Sequence, residues 1–293
     1  MVEVIAGATG FDGLAIAVKA ASYVLLLIAS GSVLCPLTVD GVPLKERRFL
    51  YRLAAAIAPV AMALITARLM LEAVFLAGDN WAAALDPGLL ALVANGALGQ
   101  TLALQAVGGV LIAGGVIRGW TGAALSLIGV VLIAVSFTMS GHVGGTAAWH
   151  DEVLLVVHML CLSFWVGVFL PLYRLSGQPG DAAAVVAEDF GRKAIGVVAV
   201  LVVAGLITLN TLTGGLLAAL QTAYGQLFAA KLGVFVLVLL LAAVNKRALT
   251  PALTNDRPGA GRAMRRSLAI EASAIGLIVV ISATFTTLTG PGG

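Results

Sequence analysis

The chain has 293 residues, of which 60% are hydrophobic and 11% charged, and its mean hydropathy is +1.07. Soluble domains carry about a quarter charged residues, so this composition excludes a soluble globular protein and indicates an integral membrane protein. Two cysteines are too few for a disulfide scaffold or a structural zinc module, and a net charge of +3 requires no nucleic-acid partner. No basic segment precedes the first apolar run, so a cleaved signal peptide is not predicted.

Eight apolar runs have the length of about 20 residues that a helix needs to cross a bilayer. The predicted spans cover residues 14–35, 52–77, 97–117, 120–140, 152–174, 193–214, 226–246 and 267–289. Their connections are too short to fold alone, so residues 1–293 are predicted to form one all-α bundle in the lipid bilayer. Few residues separate the third and fourth spans, which are therefore predicted to be antiparallel neighbours.

The basic residues predict the orientation of the bundle. Fourteen of the 17 Lys and Arg residues lie in alternate connections, between spans 1 and 2, 3 and 4, 5 and 6, and 7 and 8. The positive-inside rule places these connections in the cytoplasm, so both termini are predicted on the outer, periplasmic side of a bacterial inner membrane. That outer side carries acidic residues that attract cations.

All three histidines of the chain lie at one outer junction between spans. His142 ends the fourth span, and His150 begins the fifth span beside Asp151 and Glu152. His158 follows eight positions later on the same helix and lies about 12 Å deeper in the membrane. Imidazole is the commonest neutral metal ligand, so this cluster predicts a metal site.

Soft ligand groups accompany the histidines. Neutral imidazole, thiolate and thioether groups together favour a copper ion over magnesium or calcium, which prefer oxygen ligands. His142, His158 and His150 are therefore the candidate ligands of a copper site. The candidate additional ligands and supporting residues are Met139, Met159, Cys161, Asp151, Trp165 and Lys231.

Some of these residues also have a simpler interpretation. His150 is also typical of a polar residue at headgroup level, and Cys161 alone is typical of a small packing residue. Trp165 is common as a packing aromatic. His158 is the strongest candidate, because an ionisable group inside a span is costly and usually faces a partner in the bundle interior.

Other charged residues inside the spans have local explanations. Arg68 and Glu72 stand four residues apart on one predicted helix and are expected to neutralise each other as an ion pair. Lys231 either extends its ammonium toward the outer headgroups or pairs with an acid such as Asp151. Neither explanation requires a transport role.

Short motifs follow one another along the second half of the chain. They are Ser140-Gly141-His142; His158, Trp165 and Gly167 in the pattern His-x6-Trp-x-Gly; Ala223-Tyr224-Gly225-Gln226-Leu227 before Ala230-Lys231-Leu232; Asn245-Lys246-Arg247-Ala248-Leu249-Thr250-Pro251; and Arg265-Arg266-Ser267 with Glu271. As an ordered set they resemble the CopD (copper resistance D, PcoD-like) family of bacterial inner-membrane proteins. The resemblance is strongest over residues 120–293.

The resemblance implies an eight-helix protein without enzymatic activity. Such a protein moves copper across the inner membrane, with uptake toward the cytoplasm expected, or handles copper there together with a periplasmic CopC-like copper-binding protein. Within this sequence the resemblance gives weight to His142, His158 and Trp165.

Two positions depart from the family pattern. Leu155 stands where members often carry an acid, and Ser22 stands where many carry a histidine in the first helix. Asp151 and His150 are the candidates to take over those roles, or the site has fewer ligands.

Two other functions stay open at this point. Paired histidines on neighbouring spans hold haem in b-type cytochromes, and three histidines at one side allow at most one haem. A copper-insertion or scaffold factor for an oxidase is the other alternative, and the sequence does not separate it from a transporter.

Overall fold

The computed structural model describes residues 9–139, 149–213 and 223–288. Over these residues the chain forms eight helices long and apolar enough to cross a membrane, as predicted, and no strand. They are α1 (Gly10–Thr38), α2 (Leu44–Leu76), α3 (Ala97–Ala113), α4 (Trp120–Met139), α5 (Trp149–Leu175), α6 (Ala182–Thr213), α7 (Ala223–Val244) and α8 (Ala260–Leu288). The predicted all-α, multi-pass membrane architecture is confirmed.

Several helices begin well before the apolar runs that predicted them. α2 begins at Leu44 rather than at residue 52, and α8 begins at Ala260 rather than at residue 267. The additional turns carry basic residues such as Lys45 and Arg262. A count of apolar residues stops at these charges, whereas the helical hydrogen bonds continue beyond the hydrocarbon layer because they do not depend on the side chain.

The connection between α2 and α3 is itself largely helical. It contains a 3₁₀ turn, Trp81–Leu85, and a short helix, Pro87–Asn95. The Asp86 carboxylate caps this helix by accepting a hydrogen bond of 2.9 Å from the Leu89 amide, and proline occupies the first helical position. These elements are too short to span a membrane, so the criterion that found the spans does not detect them.

α1 lies at the centre of the bundle. It packs against α2, α3, α4, α5 and α8, and the α3–α4 pair is packed as predicted. At the crossing of α1 and α5, Gly31 and Gly167 bring the two backbones together. A Cβ atom added at Gly31 would lie 2.7 Å from the Gly167 Cα atom, so neither position has room for a side chain.

Ion pairs join the connections at the end of the bundle that carries the basic loops, here called the basic end. The buried Glu46 carboxylate accepts hydrogen bonds of 2.9 and 3.3 Å from the Arg174 guanidinium. The Asp189 carboxylate accepts bonds of 2.6 Å from Lys193 and from Arg192, and Lys193 also contacts Asp40. These contacts hold the first and third basic loops together. The opposite end, which carries His150, is called the histidine end.

Helices α6 and α7 lie at the edge of the bundle. Their outer faces expose large apolar side chains, among them Ile195, Val203, Val236 and Leu240. α6 packs on α5, α7 packs on α8, and over the described residues the two are not a closely packed pair. This arrangement leaves space between α5, α6, α7 and α8.

Candidate functional site

α5 carries most of the predicted site residues and orders them along its axis. His150 lies in its first turn with Asp151 and Glu152, where acidic side chains are favoured by the positive end of the helix dipole. His158 lies about 12 Å further along the axis, and Trp165 lies about 10 Å beyond His158. The predicted residues therefore extend from the histidine end past the middle of the helix.

The outermost pair consists of His150 and Asp151. The His150 Nε2 atom lies 3.8 Å from the Asp151 Oδ2 atom, and the side chains are 55% and 14% exposed. The other carboxylate oxygen of Asp151, Oδ1, is buried and accepts no hydrogen bond from the residues that the structure describes. This pair therefore offers an accessible imidazole beside a carboxylate oxygen that has no partner in the described part of the chain.

His158 is partly buried within α5, as a residue inside a span. It makes no hydrogen bond to the part of the chain that the structure describes, and Lys231 of α7 is close enough to act on it electrostatically. Lys231 forms no ion pair with Asp151. The structure therefore brings Lys231 toward His158 and gives no support to its pairing with Asp151.

The sulfur-containing candidates point to different neighbours. Met159 packs against a small apolar cluster formed by Ala20 and Leu27 of α1 and Val279 and Ala283 of α8, whereas Cys161 packs against the main apolar core. Met139 is the last residue of α4, and His142 lies outside the described residues. Among the described residues no three His, Cys, Asp or Glu side chains converge on a point that would hold a metal ion. The ligand set with His142, His150 and His158 stays a prediction.

The predicted ion pair between Arg68 and Glu72 is wrong, because no such contact forms. Arg68 is buried and donates a hydrogen bond of 3.4 Å to the Gln105 side chain on α3. Its guanidinium also lies 5.3 Å from the centre of the Tyr23 ring on α1. The side chain contacts two neighbouring helices and forms no ion pair with Glu72, which a spacing of four residues cannot reveal.

Trp165 belongs to a buried polar site that the sequence analysis did not predict. Its indole Nε1 donates a hydrogen bond of 2.7 Å to the Oε1 atom of Glu271 on α8. The Asn245 amide donates a bond of 2.8 Å to the other carboxylate oxygen, Oε2. Trp165 and Glu271 are each 2% exposed. We call Trp165, Asn245 and Glu271 the Glu271 site.

The local backbone explains how Asn245 reaches the carboxylate. Residues Asn245–Leu249 form a π-helical turn at the end of α7, closed by a hydrogen bond from the Thr250 amide to the Asn245 carbonyl. The Thr250 hydroxyl donates to the same carbonyl at 2.9 Å. Such turns widen a helix locally and are frequent at functional sites. In the sequence, the motif that begins at Asn245 was noted as part of the family resemblance. No other feature of the sequence indicated a π-helical turn there.

A cavity of about 300 Å³ adjoins the Glu271 site between α5, α6, α7 and α8. Its apolar wall includes Phe190, whose ring packs edge-on against Trp165 at 6.3 Å between ring centres. Lys246 and Thr250 border it toward the basic end. The cavity thus connects a buried carboxylate with the part of the bundle nearest the basic loops.

A comparison with protein families gives one match. Residues 184–285 match the family model described as Copper resistance protein D. This part of the chain is a CopD-family region. The predicted resemblance to this family of copper-resistance membrane proteins is therefore confirmed. The comparisons with curated proteins and with solved structures gave no match.

The CopD match covers α6 to α8 and the turn that joins the last two helices. It begins after α5, so the three histidines and Trp165 lie outside it, whereas Asn245 and Glu271 lie within it. Two of the three residues of the Glu271 site thus belong to the matched region. A multi-pass location in the inner membrane agrees with the family and with the eight helices.

Proposed function

We propose that this protein transports copper across the bacterial inner membrane, with uptake from the histidine end toward the basic end. The match to a copper-resistance family supports copper as the ion that is handled. The observation that carries the proposal is His158, an imidazole inside α5 with no hydrogen-bond partner in the described chain. A polar group in a span that lacks a protein partner is available to a ligand.

The entrance to this pathway is proposed at His150 and Asp151. Their side chains lie at the histidine end, where the His150 imidazole is accessible and one Asp151 oxygen has no hydrogen-bond partner among the described residues. Asp79 and Asp86 belong to the same end of the bundle, so an arriving cation meets a region of negative charge. A periplasmic CopC-like protein is the proposed donor of copper to this end. The proposal therefore requires that the histidine end, and with it both termini of the bundle, face the periplasm.

Copper passes from the entrance to His158, where His142 is the proposed second ligand. Cys161 stands three residues from His158 on α5, so it lies on a neighbouring helical face and is the nearest soft candidate on that helix. Met159 faces α1 and α8, which makes it a less direct candidate. Imidazole and sulfur ligands suit Cu(I).

The haem alternative meets a geometric obstacle. A haem with two axial histidines needs imidazoles that face each other from different helices, whereas the two described histidines, His150 and His158, lie on the same helix. Only a pair that includes His142 would satisfy this requirement. A visible absorption spectrum of purified protein without a haem band would exclude this alternative directly.

Copper uptake into proteoliposomes tests the proposal. Wild-type protein should accumulate copper in the vesicles, and His158→Ala should abolish most of the uptake. Cys35→Ala is the matched control, because Cys35 is a buried potential soft ligand near the basic end of α1, and its replacement should leave uptake unchanged. Uptake by His158→Ala equal to that of wild type would overturn the proposed role of His158. No uptake by wild-type protein would overturn the proposed transport and favour an insertion or scaffold role.

A further inference from the structure

Two buried glutamates of the bundle have opposite electrostatic surroundings. Glu46 is 1% exposed and accepts two hydrogen bonds from the Arg174 guanidinium, so its negative charge is neutralised by a cation. Glu271 is 2% exposed, and its two oxygens accept bonds from an indole and an amide, which carry no charge. Of these two acids, only Glu271 lacks a cationic hydrogen-bond partner.

The surroundings of Glu271 contain little charge of either sign. Among the described residues that line its cavity, Lys246 is the only other titratable group. Its ammonium donates a hydrogen bond of 2.8 Å to the Gly191 carbonyl. On α1, Lys19 bonds to the far end of α8 at Thr286, and Tyr23 lies against Arg68.

The titratable groups of the other elements packed on α8 are also engaged elsewhere. Cys35 of α1 has Arg47 of α2 as its charged neighbour. On α5, His158 has Lys231 as its charged neighbour, and Arg174 pairs with Glu46. Arg247 of the π-helical turn and Arg265 and Arg266 of α8 form no hydrogen bond or ion pair with Glu271. Over the described residues its carboxylate oxygens bond to Trp165 and Asn245 and to no charged side chain.

The Asn245 side-chain amide can form a hydrogen bond with either protonation state of the Glu271 carboxyl group. Its amide nitrogen donates to Glu271 Oε2, and its own Oδ1 atom is buried and has no hydrogen-bond partner among the residues that the structure describes. Rotation of the amide by half a turn would exchange the two atoms and present Oδ1 to Glu271. An acceptor at that position suits a carboxyl group that carries a proton, because the O–H then has a partner.

We propose that Glu271 is a proton-binding site in the interior of the membrane. A proton from water at the basic end enters through the cavity and binds Oε2, and the carboxyl O–H then donates to the Asn245 Oδ1 atom. Release reverses these steps and restores the amide donor to the carboxylate. The Trp165 indole continues to donate to Oε1 in both states.

Physical chemistry favours a titrating group at this position. A buried carboxylate without a cation has a high cost in a medium of low dielectric constant, and binding a proton removes that cost. Hydrogen bonds from two neutral donors offset part of this cost, so the carboxyl group can exist both with and without the proton. Ionisable residues inside membrane spans commonly belong to proton or ion pathways.

Infrared difference spectroscopy of the purified full-length protein tests the proposal without copper. Lowering the pH from about 8 to about 6, which lies above the range in which ordinary carboxylates bind protons, should produce a reversible carbonyl band of a protonated carboxylic acid, and this band should be absent from Glu271→Gln. Glu46→Gln is the matched control, because the paired Glu46 should not contribute, and its spectrum should keep the band. No pH-dependent carboxylic acid band, or a band that survives in Glu271→Gln, would overturn the proposal.

A second variant avoids dependence on the folding of Glu271→Gln. Trp165→Phe keeps the aromatic packing and removes the donor to the carboxylate, so the midpoint of the carbonyl band should move to higher pH. A midpoint equal to that of wild type would show that the titrating acid is a different residue. Both readouts are independent of copper, so the proton-binding proposal can fail while the proposed copper transport holds. Copper transport can likewise fail while the pH-dependent carbonyl band is observed.

Discussion

The Trp165 indole and the Glu271 carboxylate are 106 positions apart in the chain and are joined by a hydrogen bond of 2.7 Å. This bond ties α5, which carries His150 and His158, to α8, which lies in the CopD-family region. The tryptophan of the His-x6-Trp-x-Gly motif therefore has a partner on another helix. Its contact lies about 10 Å from His158 along the helix, toward the basic end.

This bond should contribute measurably to the stability of the bundle. Trp165→Phe leaves a buried carboxylate oxygen without its donor, which should lower the free energy of unfolding by about 1–3 kcal/mol. Once Glu271→Gln is present, the same tryptophan substitution should cost less, because the residues act as a pair. Thermal unfolding in detergent measures both, with Trp149→Phe as control, since that ring is 75% exposed. Additive losses would contradict the coupling.

The crossing of α1 and α5 should not tolerate a side chain. Gly31→Ala places a Cβ atom 2.5 Å from the Ser163 carbonyl oxygen, and forcing the helices apart should cost about 1–3 kcal/mol. Gly196→Ala is the control, because a Cβ atom there meets nothing within 4 Å and alanine favours helix. Unfolding temperatures of the two variants should differ clearly, and equal values would contradict the close approach.

His142 and His158 are expected to bind one ion. If they share a site, His142→Ala and His158→Ala should each abolish most of a copper-dependent phenotype, and the double variant should be little worse. Copper uptake or copper sensitivity of cells provides the measurement. Independent losses that add together would argue for two separate functions.

His150 should act before His158 in the pathway. Its side chain is 55% exposed, so a ligand there is screened by water and readily exchanged. His150→Ala should weaken uptake mainly at low copper concentration, whereas His158→Ala should lower the maximal rate at every concentration. A concentration series of uptake rates separates these effects. An equally large fall in the saturated rate of His150→Ala would make His150 a ligand of the inner site.

The orientation of the bundle can be tested by reporter fusions. Because no Lys or Arg lies in the connections at the histidine end, a reporter active only in the periplasm should be active after Gly293 and inactive after Pro258. The opposite pattern would place the histidines on the cytoplasmic side and reverse the proposed direction of copper movement.

Hydropathy and charge were sufficient to predict the spans, because lipid requires long apolar helices whatever their partners are. The contacts between helices were not predictable in the same way. Arg68 bonds to Gln105 on α3, and its neighbour Glu72 is not its partner, because the side-chain direction depends on which helices surround α2. Spacing along one helix contains no information about that arrangement.

The Glu271 site shows the same limit. Trp165 was predicted to support a metal site, as a residue of the same motif as His158, but its indole bonds to Glu271 on α8. Asn245 and Glu271 were present among the motifs, yet their contact needs α7 to end in a π-helical turn beside α8. Neither the turn nor the pairing follows from apolar periodicity. The histidine ligand set is still a prediction, since His142 lies outside the described residues.

The π-helical turn at Asn245–Leu249 contains one residue more than a regular helix needs to join the same two flanking segments. A π turn accommodates about one additional residue within a single turn. Deleting one residue, such as Ala248, would place Thr250 four residues after Asn245, so the same amide and carbonyl would close a regular α-helical turn. The helix on either side would keep nearly its present rotation, and Asn245 would still face Glu271 although the segment is one residue shorter.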